Sequence, residues 1–245
     1  SKDLKAELQQ LPEGLLHLEA GIQSLREPVL EKCKRIGKLE HALEGLQFLC
    51  SLDNMETHAD LIAGLPLYRL NEIFEDIRIL AEFQAGEIQL ESLKLLPGTD
   101  MRRRANELGI QYSPMPPYEV LRTEDITPEE LQVARRLSRL LDAFYNTPAW
   151  QALTRELILN DETFLYHFLD YLTEANLIDQ PMSLEKRGLV LYEYCKKHRG
   201  KVNKVLFLRW DRYARNVEFA FAYKRRFYDE LGVEINTIES PIDSR

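Results

Sequence analysis

The chain has 245 residues, 44% hydrophobic and 29% charged, enough for one large or two ordinary globular domains. A formal net charge of -8 gives no general reason to bind nucleic acid or an anionic membrane. Three cysteines at positions 33, 50 and 195, with no CxxC or CxxxC spacing, argue against a disulfide framework and against a metal site built from thiolates of this chain alone.

In chain order, "SKDLKAELQQLPEG" reads as a helix leading straight into a strand, "LLHLEAGIQSL" (15–25). Pro28 suits the first turn of a helix in "PVLEKCKRI". Apolar residues at helical spacing follow in "KLEHALEGLQFLCSL" (38–52). "METHADLIAGL" is a second strand, interrupted by Asp60 near its C-terminal end. "RLNEIFEDIRILAEFQ" (69–84) is a helix with Leu70, Ile73, Phe74, Ile77 and Leu80 on one face. "EIQLESLKLLP" (87–97) is a third strand whose alternation shifts phase at Leu93. "GTDMRRRANELG" is a short helix capped by Thr99 or Asp100 and stopped by Gly109.

Strands alternating with helices predict βαβ units and a parallel sheet. Such sheets place ligands at the C-terminal ends of their strands, where Gln23, Asp60 and the Lys94 region fall. The proline-rich stretch 113–126 carries no period and reads as a connection between domains. Beyond it the sequence is helical. Thr127, Pro128 and Glu130 form a capping box, Thr147-Pro148 opens the next helix, and Asp161 and Ser183 cap two more. "VNKVLFLRWDRYARN" and "FAFAYKRRFYDELG" read as further helices, and the last residues as a tail. The dense aromatics here, Phe164, Phe168, Tyr192, Tyr194, Trp210 and Tyr213 among them, read as core. The basic runs Arg102-Arg103-Arg104 and Lys224-Arg225-Arg226 read as solvated helix faces. The expectation is therefore α/β plus α: residues 1–112 with about three parallel strands, a connection at 113–126, and an all-helical domain at 127–245.

Three strands do not close a barrel, and an open parallel sheet exposes its edges. A further strand, the helical half or a second chain must cover them, so self-association through an open sheet edge is an expectation. The five histidines show no HxxH or HExxH spacing, and no metal site is expected from them. No signal peptide or transmembrane-length apolar run is present, so a cytoplasmic protein without a membrane partner is expected.

At "LEAGIQS", "ADLIAGLP" and "SLKLLPGTDMRRRANELGIQYSPMPPYEVLRTEDIT" the chain resembles the radical SAM superfamily. Within it, the chain is similar to the class with an N-terminal cobalamin-binding domain and a helical C-terminal domain of unknown function, often labelled anaerobic Mg-protoporphyrin monomethyl ester oxidative cyclases. "YNTP" and "FLYHFLDYL" resemble the helical domain. The resemblance implies that the first half is the C-terminal part of a radical SAM (β/α) barrel, a partial barrel here. It implies S-adenosylmethionine (SAM) as cofactor, a four-iron four-sulfur cluster, cobalamin in some members and a small-molecule substrate. By the same resemblance Gln23, Arg35 and Asp60 contact SAM, with Glu19 a further candidate. Gln23 would take the ribose hydroxyls, Arg35 the methionine carboxylate and Asp60 the ribose or the α-amino group. The CxxxCxxC loop that holds the cluster is not in this sequence. The isolated chain is therefore expected to be inactive, with no catalytic residue of its own. The family's "GLPGE" is also replaced by Gly64-Leu65-Pro66-Leu67-Tyr68. Two rivals stand: a non-catalytic interaction module, and another α/β enzyme with Asp60 and Glu91 as acid and base. Asp60 can also simply cap the following helix or pair with His58 or an arginine.

Overall fold

The computed structural model describes residues 2–35, 37–199, 204–207 and 234–237. Helix α1 (Lys2–Gln10) precedes strand β1 (His17–Gln23). Helices α2 (Glu27–Lys32) and α3 (Leu39–Cys50) lead to β2 (Glu56–Ala63), and α4 (Leu70–Glu82) leads to β3 (Glu87–Ser92). The three strands are parallel, in the order β1-β2-β3, and the sheet does not close. One face is apolar: Thr57, Ala59, Leu61 and Ala63 of β2 and Ile88 and Leu90 of β3 are buried. Helix α3 lies against β2 and α4 against β2 and β3. The apolar stripe of α4 reaches the core through Ile73, Ile77 and Leu80, none of which is exposed.

The phase shift after β3 has a physical cause. The strand ends at Ser92, and the chain then pairs with the proline-rich connection. Val120 N–H donates to Leu93 O at 2.9 Å, and Leu95 N–H donates to Tyr118 O at 2.9 Å. The connection is thus not irregular throughout. Strands β4 (Gln111–Tyr112) and β5 (Val120–Arg122) form an antiparallel hairpin, anchored by buried Val120. Before it, α5 (Asp100–Arg103) is capped by the Thr99 hydroxyl. Its basic run is locally neutralised. Arg104 pairs with Asp100 and Glu107, and the Arg102 guanidinium lies 4.5 Å from the Tyr118 ring centroid.

The second half follows the capping signals. Helix α6 (Pro128–Leu140) starts on the Thr127 and Glu130 box, with the Glu130 carboxylate accepting from Thr127 N–H at 2.8 Å. A π-helical turn (Leu141–Tyr145) follows, then α7 (Pro148–Asn160), α8 (Phe164–Glu174) and α9 (Leu184–Arg199). Phe144, Phe164 and Phe168 are fully buried, and the Phe168 and Tyr194 rings lie 4.8 Å apart, so these aromatics are core. A Cβ at Gly188 would lie 2.4 Å from the Trp150 ring, so glycine lets α9 close on α7.

Two expectations change here. Residues read as part of a helix form strand β6 (Lys204–Phe207), and β7 (Glu234–Thr237), read as part of the tail, pairs with it in parallel. Val205 and Phe207 are β-formers that suit a pleated ladder. The region is therefore not all-helical. Trp210, Tyr213 and the Lys224-Arg225-Arg226 run lie outside the described residues. Among the described residues no helix is long and apolar enough to cross a membrane.

The edge of β3 is sealed by the π-helical turn and its neighbours. The Asn146 side chain accepts from Ile88 N–H at 2.9 Å and donates to Ile88 O at 3.0 Å, standing in for a neighbouring strand. Tyr145 OH donates to Ala85 O at 2.8 Å, and Gln151 donates to Gly86 O. The helical half thus covers one sheet edge, as one of the three expected solutions required.

Candidate functional site

A parallel sheet covered on both faces reads as a continuous apolar run. This one does not. The pleat sends His58 and Asp60 of β2 to the face opposite Ala59 and Leu61. Register places Glu19 of β1 beside His58, and Gln89 of β3 beside Asp60. Glu87 and Glu91 of β3 flank them in the rows before and after. One face of the sheet is therefore a field of carboxylates, imidazoles and an amide.

Asp60 is the deepest carboxylate of that field. It is half-buried, and its Oδ1 is buried with no hydrogen-bond partner. Burial, then the neighbouring Glu19 carboxyl, then the charge of Glu91 push its pKa up from 3.8 to about 6. Neither of the simpler roles open to it holds: α4 is capped at Arg69, and no hydrogen bond joins Asp60 to His58 or to an arginine among the described residues. A carboxylate in this state has capacity for a cationic or hydrogen-bond-donating ligand.

Gln23 ends β1 after a register irregularity, and its φ of 71° lies in the left-handed region. A non-glycine residue there is held by its surroundings. The chain just after it is tied down by a buried network. Asp76 of α4, fully buried, accepts from Leu25 N–H at 2.8 Å, Arg26 Nε at 2.8 Å and Tyr68 OH at 2.6 Å. Burial pushes the Asp76 pKa up, and these donors oppose that shift. Arg35, following α2, donates to the carbonyl of Gly21 at the same end of β1. Glu19 and Asp60 are thus brought together, and Gln23 and Arg35 share the end of β1. No direct bond joins the two groups among the described residues. Lys94 pairs with Glu91 at 3.5 Å.

Beside the C-terminal ends of β2 and β3 lies a cleft of about 260 Å³ between the sheet and α6. Ala63, Glu91, Ser92 and Lys94 line one wall, and Arg135, Ser138 and Arg139 the other. It occupies the position where parallel sheets take ligands.

Three features escape sequence spacing. Asp76 is one; its signal was an acid placed three residues after Ile73 on the apolar face of α4. Asn146 is another, and nothing in the sequence marks a strand edge that it could cap. The third is the convergence of His17, His58 and Glu87, which strand pairing alone brings together. The thiols are dispersed instead. Burial pushes Cys33 and Cys50 up to about 11, so both stay protonated at neutral pH. No cysteine joins a metal-ligand group among the described residues.

No curated protein matches the chain. Residues 106–224 match the model of a family described as "Protein of unknown function (DUF4080)"; the match takes in the β4–β5 hairpin and helices α6 to α9 and leaves the three-stranded sheet outside it.

Proposed function

We propose that the sheet is the C-terminal part of a radical SAM barrel and that its polar face is a half-site for SAM. The observation that carries this is Asp60: a half-buried carboxylate with an unpartnered oxygen, beside Glu19 and Glu91, on a face that would be the inside of a barrel. SAM carries an ammonium and a sulfonium, and both suit this field. Gln23, fixed at the tip of β1, offers a donor and an acceptor to a ribose. Arg35 would have to leave the Gly21 carbonyl to meet a carboxylate. SAM, when bound, supplies a sulfonium-activated C–S bond for cleavage or methyl transfer.

The four-iron cluster is a different matter. The cysteines fall into no metal-ligand group among the described residues, so this chain's thiols do not fit it. SAM binding needs no thiolate, whereas turnover would need cluster ligands from elsewhere. Oxidative cyclisation and cobalamin-dependent methyl transfer are the reaction classes that the resemblance offers for the whole enzyme.

Equilibrium dialysis of radiolabelled SAM tests the reading. Saturable one-to-one binding is expected, weakened about tenfold or more by Asp60→Asn, the loss expected when a charge-assisted hydrogen bond goes. Absence of saturable binding by the wild-type chain sinks it. One observation favours the rival reading of an interaction module. The outer edge of β1 has no strand partner among the described residues, which suits pairing with a second chain. Concentration-dependent mass in sedimentation, without SAM binding, would favour that rival.

A further inference from the structure

Below Asp60 on the polar face, at the N-terminal ends of the strands, two imidazoles meet. The Nε2 atoms of His17 on β1 and His58 on β2 face each other in direct contact. His17 Nδ1 lies 3.2 Å from a Glu56 carboxylate oxygen. His58 Nδ1 lies 3.5 Å from Glu87 and 3.0 Å from the Gln89 amide. One ligand atom each from His17, His58 and Glu87 lies within 4.8 Å of the other two. Glu19, the register partner of His58, adds a further negative charge.

The Glu56 carboxylate at His17 Nδ1 keeps the ring proton on that nitrogen and leaves His17 Nε2 as a lone pair. A cation taken up between the rings would replace the contact between the two Nε2 atoms with a lone pair from each histidine. Two histidines and a carboxylate, with a second carboxylate behind one imidazole, are a donor set for a borderline divalent transition ion. Magnesium and calcium, which prefer oxygen ligands, are disfavoured.

We propose that His17, His58 and Glu87 form a site for a divalent transition metal, zinc or a close relative. It would tie β1, β2 and β3 together at the N-terminal end of the sheet, beside Glu19, the register partner of His58. Glu56 is a positioning residue that orients His17. The site rests on its own contacts and stands if SAM does not bind. Without a metal the same groups can satisfy one another in a chain: Gln89 to His58 Nδ1, His58 Nε2–H to His17, and His17 Nδ1–H to Glu56.

Titration of the untagged 245-residue chain with Zn²⁺ by calorimetry, and with Co²⁺ by visible absorption, separates the two arrangements. The metal site predicts one-to-one binding and a Co²⁺ spectrum of low coordination number. It also predicts a rise in Tm of roughly 5 °C or more at a hundredfold excess over Kd. His17 is exposed, so His17→Ala should fold normally, checked by circular dichroism, and lose the binding. Glu56→Gln should weaken it about tenfold to a hundredfold while leaving a ligand set intact. His41→Ala on α3 should change nothing. No binding by the wild-type chain, or binding untouched by His17→Ala, overturns the site and leaves the hydrogen-bonded chain as the arrangement.

Discussion

Asp60 faces Glu19 and Glu91 with one oxygen unpaired, and its behaviour with pH follows from that. A carboxyl whose folded pKa, about 6, exceeds its unfolded value takes up a proton on folding between the two. Its contribution is therefore most favourable below pH 4 and falls as pH rises to 6. Asp60→Asn removes this, so the variant should gain stability relative to the wild type across that window, read from urea midpoints at each pH. Asp76 lies at the opposite extreme, buried yet fully supplied with donors. Asp76→Ala leaves Leu25 N–H, Tyr68 OH and the Arg26 Nε–H without their acceptor and should cost about 3 kcal/mol or more in chemical denaturation. A loss within 1 kcal/mol would mean that water replaces the carboxylate. At this scale the sequence was legible where chemistry repeats a pattern. Asp60 stood out as a carboxylate in an apolar run. Its coupling to Glu19 depends on which strands are neighbours, and no spacing in one strand reports that.

Elements were legible wherever local chemistry decides them. The side chains of the Thr127 box and the Ser183 cap start helices by satisfying free N–H groups, and Pro148 starts α7 at a first turn where no N–H is needed. The β4–β5 hairpin was hidden because its prolines mask a pairing set by Leu93 and Leu95, distant in sequence. Strand β6 was misread because Val205, Leu206 and Phe207 suit a buried helix as well as a strand, and only the partner β7 decides. The covered edge of β3 carries a prediction. Asn146 satisfies both main-chain groups of buried Ile88, so Asn146→Ala should destabilise by roughly 2 kcal/mol. Amide exchange at Ile88 should accelerate in the variant; unchanged protection there would show that water takes over the edge.

For the whole molecule, the two halves share one core. Leu131, Ala134 and Leu137 of α6 are buried, α6 packs on β3, and the Tyr145, Asn146 and Gln151 side chains bond the sheet margin. Cutting after residue 126 should therefore give a sheet half that aggregates in light scattering, whereas a monodisperse product would show two independent units. The order sheet first, helices second could be read from periodicity, but their mutual dependence could not, because it rests on side chains crossing to a strand edge. The account turns on the polar face of the sheet as a place for a cation-bearing ligand. Its most direct test is the titration of the Asp60 carboxyl carbon by NMR, with and without SAM. The account predicts an apparent pKa near 6 in the free chain, driven down by SAM as its positive groups stabilise the carboxylate. An ordinary titration near 4 in the free chain, or one that SAM leaves unmoved, would contradict it.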